Sequence, residues 1–95
     1  MMATNRVLVV GAGFSGAVVA RELVDAGHAV LVIDVRDHLA GNCHTERDVD
    51  TGVLVHRYGP HIFNTSNEVV WRYVQRFGTW MPYTNRVKAS IPRGI

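Results

Sequence analysis

The residues with the most chemical potential lie near the start of the chain. Gly11-Ala12-Gly13-Phe14-Ser15-Gly16 places three glycines at the G-x-G-x-x-G spacing, and Asp34 follows 23 residues after Gly11. That set is suited to holding a diphosphate rather than to breaking bonds. Gly11 permits a tight turn, Gly13 has no Cβ and lets the backbone approach a pyrophosphate, and Gly16 lets a helix close on a strand. The phosphates then meet free N–H groups at the positive end of the helix. Asp34 can accept hydrogen bonds from both ribose hydroxyls, and its charge opposes a ribose 2′-phosphate, which disfavours NADP. It does not separate NAD from FAD. The glycine pattern is weak alone, but here it follows a strand-like run and opens a helix-like one, with an acid closing the next strand.

Other reactive side chains point to less. Cys43 and His44 are adjacent in sequence, and neighbouring side chains rarely converge on one ion, so no metal site is expected. The single cysteine excludes an internal disulfide framework. His28, His38 and His56 read as surface or turn residues. Trp71, Tyr73 and Phe77 read as core or interface aromatics, and Arg72 and Arg76, four apart, as a solvated helix edge. For His61, spacing does not decide between a structural and a functional role.

Positioning the glycines requires a βαβ unit. Arg6–Val10 is a β-branched run that reads as a fully buried strand. Residues 15–26 read as a helix, with Gly16, Ala20, Leu23, Val24 and Gly27 on one face and Gly27 as its left-handed cap. Ala29–Ile33 is a second buried strand, closed by Asp34. The fold class expected is therefore α/β, a Rossmann-like dinucleotide-binding unit with an incomplete sheet and a right-handed crossover. Further on, Gly41-Asn42 and Asp50-Thr51-Gly52 are turn signals, with strand-like pieces near Cys43–Thr45 and Val53–His56. Thr65 and Glu68 fit a capping box for a helix that runs to about Phe77 and stops at Gly78. Asn85–Ile91 reads as one more strand.

Composition narrows the class. The 95 residues suffice for one small domain; 47% are hydrophobic and 19% charged, a globular balance. Ten Lys and Arg against eight Asp and Glu leave +2, with the arginines scattered, so no nucleic-acid footprint is expected. Glycines interrupt the apolar run after Arg6 at the fingerprint spacing, which argues against a secretory signal, and nothing in the sequence is apolar for long enough to span a membrane. A reducing, cytoplasmic setting is expected.

Three further segments carry a resemblance. Arg36-Asp-His-Leu-Ala-Gly41-Asn42, then Tyr58-Gly-Pro-His-Ile-Phe-Asn-Thr65, then Tyr83-Thr-Asn-Arg-Val-Lys88 follow the glycine fingerprint in that order. Together they resemble the UDP-galactopyranose mutases, a flavoenzyme family, over nearly the whole chain. The fingerprint and the Gly41-Asn42 turn are shared with many FAD enzymes; the Tyr58–Phe63 stretch, the Trp71 helix and Asn85-Arg86 are more particular to the mutases. The resemblance implies that Gly11, Gly13, Phe14, Ser15 and Gly16 hold the FAD pyrophosphate and that Asp34 binds the adenosine ribose. It also implies that Gly41 and Asn42 contact the cofactor, that His61 and Ile62 lie against the flavin ring, and that Asn85 contacts a nucleotide-sugar substrate. It implies no catalytic side chain in this segment. The family interconverts UDP-galactopyranose and UDP-galactofuranose: N5 of the reduced flavin attacks the anomeric carbon and displaces UDP, and the sugar recloses in the other ring size. Asp34 stands where glutamate is common, Ala40 replaces the first glycine of a Gly-Gly-Asn turn, and Asn64 replaces a second histidine. Ala40 tests whether its site needs a positive φ.

Mutases of this family are several times longer than 95 residues. The expectation is an N-terminal portion of the FAD-binding domain, residues 1–95, with the substrate domain elsewhere, a homo-oligomeric parent, and no activity in these residues alone. Two alternatives remain open: the corresponding part of another FAD enzyme, such as an amine-oxidase-like oxidoreductase, and a non-enzymatic nucleotide-binding module.

Overall fold

The computed structural model of the chain describes residues 5–93. The chain divides into two compact units, Met1–His61 and Ile62–Ile95.

The first unit opens with the expected βαβ arrangement. Strand β1 (Arg6–Val10), helix α1 (Phe14–Asp25) and strand β2 (Ala29–Ile33) follow in order. β1 and β2 pair in parallel, with Arg6 opposite Ala29 and Val10 opposite Ile33. Gly27, at φ +92, ends the helix region, and the His28 N–H donates to the Leu23 carbonyl as the chain turns into β2. The helix covers one face of this sheet. Val9, on that face, is one of three buried apolar residues among the described residues, with Ala12 and Val74.

Side chains alternate across a strand, so Leu8, Val10, Leu31 and Ile33 share the opposite face. They are 56%, 75%, 63% and 44% exposed. The expectation of fully buried strands is therefore corrected. An unbroken apolar run signals two covered faces, and only one cover is present among the described residues.

After β2, Gly41–Cys43 form a single 3₁₀ turn, entered through Ala40 at φ +76. Strands β3 (Thr45–Arg47) and β4 (Leu54–His56) then make an antiparallel ribbon with Thr45 opposite His56. The first strand piece thus lies two residues later than expected, because the 3₁₀ turn takes up Cys43. The ribbon turn is closed by Asp48, whose carboxylate accepts from the Thr51 N–H and hydroxyl at 2.9 and 2.7 Å.

Ala40 is the only non-glycine residue with positive φ among the described residues. The left-handed region costs an L-residue roughly 1–2 kcal/mol, partly offset by the greater chain entropy that glycine loses on folding. The Ala40→Gly substitution is expected to stabilise the chain by up to about 1 kcal/mol. A higher urea midpoint at unchanged slope checks it.

The second unit holds helix α2 (Glu68–Gln75). Its N-cap is Asn67, not Thr65. The Asn67 Oδ1 accepts from the Val69 and Val70 N–H groups at 2.9 and 3.2 Å, while the Thr65 hydroxyl accepts from the Asn67 N–H. Two capping residue types stand two apart, and the one nearer the helix satisfies two orphan donors at once. Glu68 does not reach back as a capping-box acid; it pairs with Arg72 one turn on, at 3.1 Å. Arg76 lies over the Tyr73 and Phe77 rings at 5.2 and 5.3 Å, so the expected arginine edge is half ion pair and half cation–π contact. Residues 85–90 are irregular and Ile91 makes an isolated bridge, which corrects the expected strand Asn85–Ile91. A strand requires a ladder partner, and this unit supplies none among the described residues.

Candidate dinucleotide-binding site

The strand–helix turn is built by its glycines. Gly11 has φ +109, a conformation open to glycine, and its N–H donates to the Ile33 carbonyl at 2.7 Å, tying the end of β1 to the end of β2. Gly16 is required by space: a Cβ there would stand 1.8 Å from the Gly11 carbonyl oxygen. Gly13 is the N-cap of α1, at φ −78, and makes no side-chain capping bond. No acidic residue lies in the first turn. The positive end of the helix dipole is thus met by no capping side chain at Gly13 and by no first-turn acid.

The loop after β2 packs on this turn. The Ala40 N–H donates to the Ala12 carbonyl at 3.0 Å. A Cβ on Gly41 would lie 3.1 Å from the Gly13 Cα, tighter than ordinary contact. The two glycines therefore bring two backbones together with no side chain between them. That shared approach is what a pyrophosphate held by main-chain groups needs.

Asp34 sits beside the same turn and is part-buried. Its Oδ2 accepts from the Ala12 N–H at 2.7 Å and its Oδ1 from the Arg36 N–H at 2.8 Å. These backbone donors, Ala12 first, hold the carboxyl below the ordinary aspartate range against the opposing effect of desolvation. Each oxygen retains a lone pair for a further donor, so the two amides orient Asp34 without using up its capacity for a ribose.

Asn42 lies in the 3₁₀ turn, and its Oδ1 accepts from the Arg36 guanidinium at 2.9 Å. Arg36 also lies over the Tyr58 ring at 4.0 Å. Tyr58 in turn shares a 2.6 Å hydrogen bond with His38 Nε2. Spacing alone assigns no role to Arg36 or Tyr58 and places His38 at the surface. The one available signal was the position of Arg36, two residues beyond the acid.

His61 is held on the β3–β4 ribbon. Its ring stacks on His56 at 4.1 Å, its N–H donates to His56 Nδ1 at 3.1 Å, and its Nε2 is 3.5 Å from the Thr45 hydroxyl. Its Nδ1 is buried without a hydrogen-bond partner, an orphaned polar atom. Phe14 and Ser15 lie in the first turn of α1 and are exposed. Ile62 and Asn85 belong to the second unit, and both are exposed. The structure thus gathers Gly11, Gly13, Gly16, Asp34, Gly41 and Asn42 around one turn, with His61 on the ribbon of the same unit. Cys43 and His44 form no metal cluster, and no group of three metal-ligating side chains occurs among the described residues. No helix among them is long and apolar enough to cross a membrane.

The residues present fit a dinucleotide: two glycines whose added Cβ atoms would intrude on the turn, an uncapped helix start, and a pre-oriented acid. Comparison with known proteins agrees. The chain is 53% identical over 90 residues to a Klebsiella pneumoniae protein named "Probable UDP-galactopyranose mutase", covering 95% of this chain and 23% of that protein. It is 55% identical over 86 residues to the dTDP-fucopyranose mutase of Escherichia coli, covering 90% and 23%. A more distant match, 36% over 74 residues, is the L-amino-acid oxidase of Sistrurus catenatus edwardsii, covering 78% and 14%. The chain therefore spans about a quarter of the length of the mutases it matches. The model of the NAD(P)-binding Rossmann-like domain matches residues 9–77, from within β1 to just beyond α2. By that match, and by a βαβ unit whose glycine turn and acid are built as described, the chain belongs to the NAD(P)-binding Rossmann-like domain family.

Proposed function

We propose that this chain is the FAD-binding portion, from the N-terminal part, of a sugar-nucleotide mutase that interconverts UDP-galactopyranose and UDP-galactofuranose. The observation that carries the cofactor assignment is the Gly13–Gly41 approach beside an Asp34 already aligned by two amides. The similarity to proteins named as mutases, higher in identity and wider in coverage than that to the oxidase, supports the reaction class over an amine-oxidase-like chemistry.

In this proposal each residue has a modest task. The N–H groups at the start of α1, with Phe14 and Ser15 in its first turn, receive the pyrophosphate. Asp34 receives the ribose hydroxyls. Asn42 donates to the cofactor from the Gly41 turn. His61 and Ile62 flank the flavin, and Asn85 meets the sugar nucleotide. Reduced FAD, when bound, would supply a nucleophilic nitrogen. The chain's own residues bind, orient and shield; none is assigned a proton-transfer or nucleophilic role. The parent is a cytoplasmic homo-oligomer in this reading, with the substrate domain outside these residues.

The test has two arms. Titrating FAD into the purified chain is expected to shift and quench the flavin signal saturably; no bound flavin at any concentration overturns the cofactor assignment. A chimera carrying these residues in place of the matching segment of the Klebsiella pneumoniae relative is then assayed with reduced flavin. Conversion of UDP-galactofuranose to UDP-galactopyranose is expected. Consumption of oxygen with an amino acid and no sugar conversion would favour the oxidase reading, and conversion of a dTDP-fucose instead would reassign the sugar nucleotide.

A further inference from the structure

Arg36 is placed by three contacts. Its backbone N–H donates to Asp34 Oδ1 at 2.8 Å, its guanidinium lies 4.0 Å from the Tyr58 ring centre, and its Nη1 donates to Asn42 Oδ1 at 2.9 Å. A guanidinium carries donors only, so the end of the Asn42 carboxamide that faces it must be the oxygen. The Nδ2 end, with two N–H donors, is then the end left over, and it makes no hydrogen bond of its own among the described residues.

The face of Tyr58 supplies an attractive seat for the cation. The Tyr58 hydroxyl is fixed as well. His38 Nδ1 lies 2.8 Å from the Leu39 carbonyl, which only accepts, so Nδ1 carries a hydrogen, and in the neutral ring Nε2 then accepts from the Tyr58 O–H. His38 is itself stacked on His44 at 3.8 Å. The chain His44, His38, Tyr58, Arg36, Asn42 therefore runs from the ribbon side to the Gly41 turn through flat groups in contact. All lie in the first unit.

We propose that Arg36, seated on Tyr58, is a positioning residue that sets the Asn42 amide so that it donates to an acidic or carbonyl acceptor of the bound dinucleotide. This rests on the FAD reading above. A donor presented at a diphosphate site is useful; an amide free to turn would present its oxygen to the anion for part of the time.

The test uses the full chain, labelled with ¹⁵N, without ligand and then with FAD. In the free chain the Asn42 side-chain amide is expected to give one dispersed pair of signals. Arg36→Met and Tyr58→Leu should move it to the shift of a freely turning amide. Arg36→Lys, which keeps a cationic donor, and Tyr58→Phe, which keeps the ring, should restore most of the dispersion. With FAD, Arg36→Met and Asn42→Ala are each expected to weaken binding about tenfold, the size of one charge-assisted hydrogen bond. The double variant should be no weaker than Asn42→Ala alone. An unchanged Asn42 signal in Arg36→Met, with the other backbone signals intact, overturns the proposal, as does full additivity of the two losses. Loss of FAD binding in the unsubstituted chain would sink the cofactor reading instead, and the amide signals would still decide the role of Arg36.

Discussion

The Gly16→Ala chain is expected to lose its strand–helix turn. The added carbon would stand 1.8 Å from the Gly11 carbonyl oxygen and 2.9 Å from the Gly11 carbonyl carbon. Neither is the end of a flexible side chain, so backbone has to move. Its third neighbour, the Val9 side chain at 3.4 Å, belongs to the small buried core. The helix must withdraw from the turn, opening the contact that buries Val9. Overpacking typically costs 1–3 kcal/mol and more where nothing can yield; about 3 kcal/mol or more is expected here. Urea unfolding measures it, with FAD affinity falling below detection. Gly13→Ala is the matching control. Its Cβ would meet the Gly41 Cα at an ordinary 3.8 Å, and φ −78 suits alanine. That variant should keep the unfolding midpoint and still weaken FAD. Equal damage to stability from both would show that Gly13 serves packing rather than ligand approach.

Asp34→Asn is expected to be nearly as damaging to binding. Both carboxylate oxygens accept backbone N–H groups, from Ala12 and from Arg36. A carboxamide has one oxygen to offer, so its NH₂ would be forced against the other donor. One amide is left unsatisfied, and the side chain turns out of line with a ribose. A loss of about ten- to a hundredfold in FAD affinity is expected by calorimetry, the range for a hydrogen bond to a charged group. The same contacts set a pH dependence. The folded carboxyl lies below the ordinary aspartate value of 3.8, because Ala12 and then Arg36 favour its charged form. Its contribution is complete above that value and disappears as pH falls through the lowered one. Stability measured down from pH 7 should therefore hold steady with respect to this group and drop only in strong acid. Asp34→Asn should flatten that final drop.

Much of this is legible in the sequence. Val7–Val10 and Ala29–Ile33 are β-branched runs that declare strands, and the three glycines declare the turn between them and the helix, because both signals are local. Three features were not local. Asn85–Ile91 has strand propensity but no ladder, and propensity without a partner does not make a strand. Thr65 and Asn67 are both able caps, and only the path of the chain chose between them. Leu8 and Val10 look like core in sequence, since an apolar side chain carries no mark of whether anything covers it. In the site, Gly13, Asp34 and Gly41 were readable because fixed offsets link them to the turn. The contact of Arg36 with Tyr58 joins a post-strand loop to the end of a ribbon, and no spacing rule links the two. Ala40 could be read only as a question about φ, which its value of +76 answers.

The bare sheet face has a practical consequence. Leu8, Val10, Leu31 and Ile33 form an ordered aliphatic surface open to water. Solvatochromic dyes such as ANS brighten on such surfaces, and that brightening is usually taken as a sign of loosened packing. Here the dye would light up on a correctly folded chain and dim once unfolding scattered the four side chains, so fluorescence would run opposite to its customary meaning.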